Sequence, residues 1–205
     1  KFLRGLVAGA ERWLMRRFDG VSTISQRMHQ RLLDKGVAPD RAVLAPNWVD
    51  VSAITPAMTG SGNAFRAELG IAPDAVVALY SGNMGAKQGL ELLADVAKLC
   101  LAQAGPGQPA IVFVFCGNGA GRAELVQHCA GLPNVHFLDL QPMERLNELL
   151  ALADVHLLPQ RADAADLVMP SKLTGMLASA RPVVATARPG TELANVVQGC
   201  GLVVP

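Results

Sequence analysis

Along most of this chain, apolar runs of strand length alternate with stretches whose apolar residues recur every three or four positions. The runs at 76–81, 111–116, 135–138, 155–158, 182–185 and 202–204 are almost continuously apolar, as strands covered on both faces are. Between them, 90–103, 120–129, 144–153, 171–179 and 192–197 carry helical spacing. Parallel strands need crossover connections, so the pattern predicts an α/β fold: a Rossmann-like, doubly wound parallel sheet with helices on both faces. Ligands of such sheets collect beyond the carboxyl ends of the strands, where the pattern puts Gly82, Gly117, Asp139 and Pro159.

The first part of the chain reads differently. Phe2, Leu3, Leu6, Val7, Ala10, Trp13, Leu14 and Phe18 form a helical stripe over 2–18, among Arg4, Arg12, Arg16 and Arg17. Two readings stand: a basic amphipathic helix on an anionic membrane surface, or a stripe packed on a neighbouring domain. A strand is expected at 21–25, a helix at 25–35 capped by Ser25 and closed near Gly36, and a strand at 42–45 ending at Pro46. Residues 47–65, with Pro56, Gly60, Ser61, Gly62 and Asn63, have linker composition, so residues 1–46 and 66–205 are expected to belong to different domains. The chain starts with Lys and has no signal-peptide layout, which is expected of a piece of a longer protein.

Candidate chemistry lies in the loops after the strands. Gly82, Asn83 and Gly85 follow the strand at 76–81, where glycine lets backbone turn tightly and approach a ligand, and Lys87 comes next. After the run at 155–158 a polar loop leads to Asp166, and Pro170 and Ser171 read as helix-opening residues, the serine as a cap. Lys172 then stands in a helix's first turn, where the helix dipole disfavours a cation. Either an anion, phosphate above all, is held beside it, or the lysine is simply solvated.

Hydrophobic residues make up 51% of the 205 positions, enough for a large core, while a net charge of +1 argues against nucleic acid as partner. Cys100, Cys116, Cys129 and Cys200 are scattered without metal-ligand spacing, and His29, His128, His136 and His156 form no ligand set, so no metal site is predicted. The cysteines are expected to be buried and reduced. No apolar run approaches the length that crosses a bilayer.

The segment from Pro170 to Ala185, Pro-Ser-Lys-Leu-Thr-Gly-Met-Leu-Ala-Ser-Ala-Arg-Pro-Val-Val-Ala, resembles the donor-binding element of family 4 retaining glycosyltransferases, which have the two-domain GT-B fold. Within them it is most similar to the branch with the colanic acid fucosyltransferase and related capsule and O-antigen enzymes. Four more segments support the resemblance in order: Pro46-Asn47-Trp48-Val49-Asp50, the stretch from Tyr80 to Glu91, Cys116-Gly117-Asn118-Gly119, and Asn134 to Leu138. It implies that 66–205 is the C-terminal nucleotide-sugar-binding domain and 1–46 the end of an acceptor-binding domain whose remainder lies outside this chain.

The resemblance further implies transfer of a sugar, with retention and without a metal or other cofactor, from a nucleoside diphosphate sugar such as GDP-fucose or a UDP-sugar. The implied acceptor is a lipid-linked oligosaccharide at the cytoplasmic face of the inner membrane. Lys172 and Lys87 would stabilise the departing diphosphate; Gly82, Asn83, Gly85, Gly117, Asn118, Leu138, Asp139, Asp166, Pro170, Ser171 and Gly175 would surround the donor. The sequence departs from the family at Asn83 and Gln88, where many relatives carry Arg and Lys, and at Leu167 and Gly175, where many carry glutamates.

Two rivals come from other classes. Gly117-Asn118-Gly119-Ala120-Gly121, with Asp139 further on, imitates the dinucleotide fingerprint of an NAD-dependent oxidoreductase, although Arg122 takes the third glycine's place. The missing glutamates, and Ala180 where a glycine is common, would suit a non-catalytic nucleotide-binding or scaffold module.

Overall fold

The computed structural model describes residues 2–56, 63–85, 88–160 and 169–205. They form two compact units: one up to Trp48 together with Met169, the other from Val49 to Gln160 and from Pro170 to Pro205.

The first unit contains α1 (Phe2–Met15), β1 (Val21–Thr23), α2 (Gln26–Asp34) and β2 (Ala42–Leu44). The two strands pair in parallel, Val21 opposite Ala42 and Thr23 opposite Leu44. Ser25 caps α2 as expected, its hydroxyl accepting from the Met28 amide at 3.2 Å, and this ends β1 two residues earlier than the apolar run suggested. Likewise α1 stops at Met15 rather than Phe18, closed by the Arg17 amide on the Leu14 carbonyl at 2.9 Å. Leu32, Val37 and Ala42 make a small core that Met15, Val21 and Leu33 flank. Met15 thus turns inward, while Leu3, Leu6 and Trp13 remain 72%, 62% and 57% exposed.

The second unit contains α3 (Ala64–Glu68), β3 (Val76–Ser81), α4 (Glu91–Ala102), β4 (Ile111–Cys116), α5 (Arg122–His128) and β5 (Val135–Leu138). It continues with α6 (Leu146–Leu152), β6 (Val155–Leu158), α7 (Lys172–Ala178), β7 (Val183–Thr186), α8 (Glu192–Val197) and β8 (Gly201–Val204). The six strands lie in the order β5-β4-β3-β6-β7-β8, all parallel. The expected doubly wound α/β fold is therefore present, with its switch point between β3 and β6.

Alternation along the central strands builds the two faces. Tyr80, Phe113 and Phe115 pack with Leu93, Ala94, Ala97 and Leu125 on the α4–α5 side. Val77, Leu79, Val112 and Val114 pack with Phe65, Leu149 and Leu152 on the α3–α6 side. Asp154 ties this second face to the sheet: one carboxylate oxygen accepts from the Val77 amide at 2.8 Å and from Arg66 Nη2 at 2.7 Å.

Two expectations need correction. Part of the stretch expected to be a linker is folded: Ile54 and Phe65 are buried, and Asn63 opens α3 by accepting from the Phe65 amide at 2.9 Å. Asn63 Nδ2 also donates to the Glu148 carbonyl at 2.8 Å, which fixes α3 against α6. Of the cysteines, all free, Cys116 and Cys129 are buried and Cys100 is half-buried, but Cys200 is exposed because it lies in the turn leading to the edge strand β8.

Candidate functional site

The loop after β3 and the loop after β4 are bound to each other by backbone. The Gly82 amide donates to the Cys116 carbonyl at 2.9 Å, the Met84 amide to the Asn118 carbonyl at 2.8 Å, and the Gly121 amide to the Met84 carbonyl at 2.8 Å. This closeness requires glycine. At Gly117, with φ +135°, a Cβ would stand 2.1 Å from the Gly82 carbonyl oxygen, and at Gly119 one would stand 2.6 Å from the Met84 carbonyl oxygen. The Gly117 amide is itself spent on the Leu138 carbonyl at 3.0 Å, so the ends of β3, β4 and β5 are joined. Tyr80 completes the frame, its hydroxyl donating to the Asn83 carbonyl at 2.6 Å.

Lys172 crosses this frame from the start of α7. Its Cδ and Nζ lie 3.4 and 3.7 Å from where a Gly82 Cβ would be, and Nζ sits 4.0 Å from the centre of the Tyr80 ring. Among the described residues no carboxylate is within ion-pair distance of it. Burial alone lowers its pKa to about 8, so at neutral pH it is a partly desolvated cation. The serine before it is not the side-chain cap the sequence suggests. Ser171 already has helical backbone angles and its hydroxyl makes no capping bond; its carbonyl instead accepts from Thr174 Oγ1 at 2.8 Å.

Lys172, Ser171, Thr174, Ser81 and Gly82 are among the residues that line a cleft of about 290 Å³. Val49, Ile54, Leu146, Leu149 and Leu150 give the same cleft a large apolar wall. Cys116, Leu140 and Gln141 line it as well, and burial pushes the Cys116 thiol pKa up, which keeps it an inert wall. Gly175 stands in the same cleft, where a carboxylate is common in the resembled family, and an added Cβ would only touch Leu150 Cδ1 at 3.4 Å.

Of the residues singled out from sequence, Gly82, Ser171, Lys172 and Gly175 meet in this cleft. Gly117, Asn118 and Asn83 serve the loop-to-loop frame instead, Asn83 through its carbonyl. Gly85 donates its amide to Gln88 Oε1 at 3.1 Å and borders a second cleft, of about 390 Å³, beside Glu91 and Glu124. Pro170 accepts the Leu173 amide at 3.1 Å. Leu138 packs into the core on the α3–α6 side and is not a cleft residue. Asp139 does not line the cleft either: its carboxylate, 77% exposed, is paired with Arg122 Nη2 at 2.9 Å. Lys87 and Asp166 lie outside the described residues.

Sequence reasoning missed the apolar wall from α6. Leu146, Leu149 and Leu150 recur at helical spacing and read as core, and nothing in the pattern marks which core leucines face a cleft. The oxidoreductase rival loses its two supports, because the glycines of 117–121 are needed by the frame and Asp139 is engaged by Arg122. Among the described residues, no three His, Cys, Asp or Glu side chains gather as metal ligands. No described helix is long and apolar enough to cross a membrane.

Comparison with known proteins agrees with this architecture. A solved structure of HepE from Anabaena, in complex with UDP and glucose, superposes with a TM-score of 0.70 at 19% identity, over 96% of this chain and 52% of that one. Sucrose-phosphate synthase from Thermosynechococcus elongatus superposes with a TM-score of 0.71 at 20% identity, over 97% of this chain and 48% of that one. Both are likenesses of fold. In sequence, the chain is 35% identical over 195 residues to a protein of Escherichia coli (strain K12) that carries the name of a colanic acid biosynthesis glycosyl transferase, WcaI; the match takes in 94% of this chain and 46% of the relative. The chain thus spans about half the length of these proteins. The family described as glycosyl transferases group 1 matches residues 75–205, the stretch that carries the six-stranded sheet, the glycine frame and Lys172, and the chain belongs to that family.

Proposed function

We propose that the second unit binds the donor of a retaining glycosyltransferase that moves a sugar from a nucleoside diphosphate sugar to a lipid-linked oligosaccharide in exopolysaccharide, capsule or O-antigen synthesis. One observation carries the reading: a half-buried ammonium, Lys172, faces a cleft and has no carboxylate partner among the described residues. A cation so placed favours an anionic ligand, and the apolar wall from α6 suits the flat faces of a base and sugar rather than a bare phosphate ion. The names of the relatives support the same class, HepE through UDP and glucose and WcaI through colanic acid.

In the reaction the anomeric carbon gains positive charge as the diphosphate leaves. Lys172 would hold the leaving diphosphate and offset its growing charge, a fixed electrostatic contribution that needs no proton transfer. Lys87, in the segment after Gly85, would add a second cation. The Gly82–Gly85 frame leaves room for backbone to approach the phosphates. The glycine at 175 leaves the ribose without the carboxylate contact of the resembled family, so discrimination between GDP- and UDP-sugars falls to the cleft walls. Titrating the chain with GDP, UDP and dTDP and their sugars by calorimetry tests the reading: saturable binding of at least one nucleoside diphosphate is expected, and no heat with any of them would overturn it. A merely nucleotide-binding scaffold would bind equally; transfer to a lipid-linked acceptor by the full-length protein separates the two.

The lipid-linked acceptor and a position on the cytoplasmic face of the inner membrane rest on α1. Its stripe of Leu3, Leu6 and Trp13 is exposed, and Arg17 lies 4.3 Å over the Trp13 ring. Aromatic and basic groups together fit the interface of an anionic bilayer. Replacing Arg4, Arg12, Arg16 and Arg17 with Gln should lower binding to phosphatidylglycerol vesicles; unchanged binding would mean the stripe packs on protein.

A further inference from the structure

We propose that Tyr80 is a positioning residue for Lys172: its ring seats the ammonium of this cleft-lining side chain while its hydroxyl fixes the glycine loop under the same side chain. The inference rests on reading the cleft as a nucleoside diphosphate site. Tyr80 is fully buried in β3, its ring tilted 45° to Phe115 at a centroid distance of 6.4 Å. Phenylalanine would fill that place equally, so packing does not explain the hydroxyl. Burial raises the phenol's pKa far above its ordinary value, which keeps it a donor, and it donates to the Asn83 carbonyl at 2.6 Å. The loop held there contains Gly82, the residue over which Lys172 passes.

Lys172 Nζ lies over the same ring, 4.0 Å from its centroid. A lysine side chain is long and rotamer-rich, and something must hold its end in place before an anion arrives. A carboxylate would do so but would cancel the charge a phosphate needs. The face of an aromatic ring attracts the cation through its quadrupole and leaves the net charge intact. Gly82 lies beneath the lysine, whose Cδ is 3.4 Å from where a Cβ would stand, so the side chain rests against the glycine loop at ordinary contact distance. Tyr80 therefore pre-orders the cation without neutralising it, and the hydroxyl keeps ring, loop and lysine in one fixed relation.

The experiment varies the ring's electronics while holding its shape. Tyr80→Phe and 4-fluoro- and trifluoro-phenylalanine at position 80 are compared by calorimetry with UDP or GDP, whichever binds, and with the matching nucleoside. Weakening the ring's negative face should lower diphosphate affinity stepwise, by roughly threefold to thirtyfold from Phe to the trifluoro ring, with the nucleoside unchanged within about twofold. In a Lys172→Ala background the same series should be flat. A flat series with Lys172 present, or equal losses for the nucleoside, overturns the positioning role. If Lys172→Ala itself leaves diphosphate affinity unchanged, the reading of the cleft fails rather than the role of Tyr80 alone.

Discussion

Gly117→Ala is the substitution that most severely tests the frame beneath the cleft. At φ +135° an L-residue is strained, which costs on the order of 1–3 kcal/mol. The new Cβ would also stand 2.1 Å from the Gly82 carbonyl oxygen, so the two loops must part. Parting them strains the bonds from the Gly82 amide to Cys116 and from the Gly117 amide to Leu138, each worth about 1 kcal/mol. The sum is a loss of about 3–5 kcal/mol. Gly70 is the internal control: it too has positive φ, +64°, but nothing lies within 4 Å of its would-be Cβ, so Gly70→Ala should cost only about 1–2 kcal/mol. Urea denaturation of both variants measures the difference, and calorimetry with a nucleoside diphosphate shows whether the moved Gly82 displaces Lys172. Equal stabilities for the two variants would refute the reasoning, because the carbonyl contact would then carry no energy.

Further outcomes follow from the same geometry. Asp154→Ala should lose roughly 3–5 kcal/mol in denaturant melts, because it strands the buried Arg66 guanidinium and the Val77 amide; a loss under about 1 kcal/mol would contradict the tie between α3 and the sheet. His156 is buried in β6, its Nε2 3.0 Å from Ser179 Oγ, whose proton goes to the Met176 carbonyl, so the ring is the neutral donor. Burial first, and Arg181 second, lower its pKa to about 4; the unfolded chain therefore takes up the extra proton between pH 6.5 and 4, and stability falls by about 3 kcal/mol as pH drops through that window. In His156→Leu the fall should be shallower by that amount; an unchanged acid melt would contradict it. Because Lys172 titrates near pH 8, nucleoside diphosphate affinity should be level below that pH and decline above it, which titrations across pH 6.5 to 9.5 would show; a level affinity throughout would exclude the ammonium as the phosphate contact.

The strands and most helices were legible because parallel strands buried on both faces, such as β3 and β4, must be apolar at every position, and that run is visible without any partner. α3 was not legible. Five residues are too few to form a helix by propensity, and this one stands because Phe65 is buried and lies 3.8 Å under the Arg145 guanidinium, a contact between residues 80 positions apart. At the site, Lys172 and Gly82 could be read, since a cation in a first turn and a glycine past a strand each break a local rule. Leu138 and Asp139, which the sequence offered as well, do not line the cleft: a strand end offers either its side chains or its carbonyls, and here the carbonyls meet the end of β4. Tyr80 looked like any core aromatic; only the fold shows that it touches both the glycine loop, through the Asn83 carbonyl, and Lys172 of the cleft lining.

The central claim is that Lys172 faces a diphosphate, and one variant tests it. A charge-assisted contact worth about 1.5–3 kcal/mol disappears in Lys172→Ala, so nucleoside diphosphate affinity should fall roughly ten- to a hundredfold. Affinity for the bare nucleoside should hold, and the melting temperature should not drop, since a desolvated cation has been removed. Equal losses for nucleoside and nucleoside diphosphate, or a collapse in stability, would place the phosphate site elsewhere and make Lys172 a structural residue.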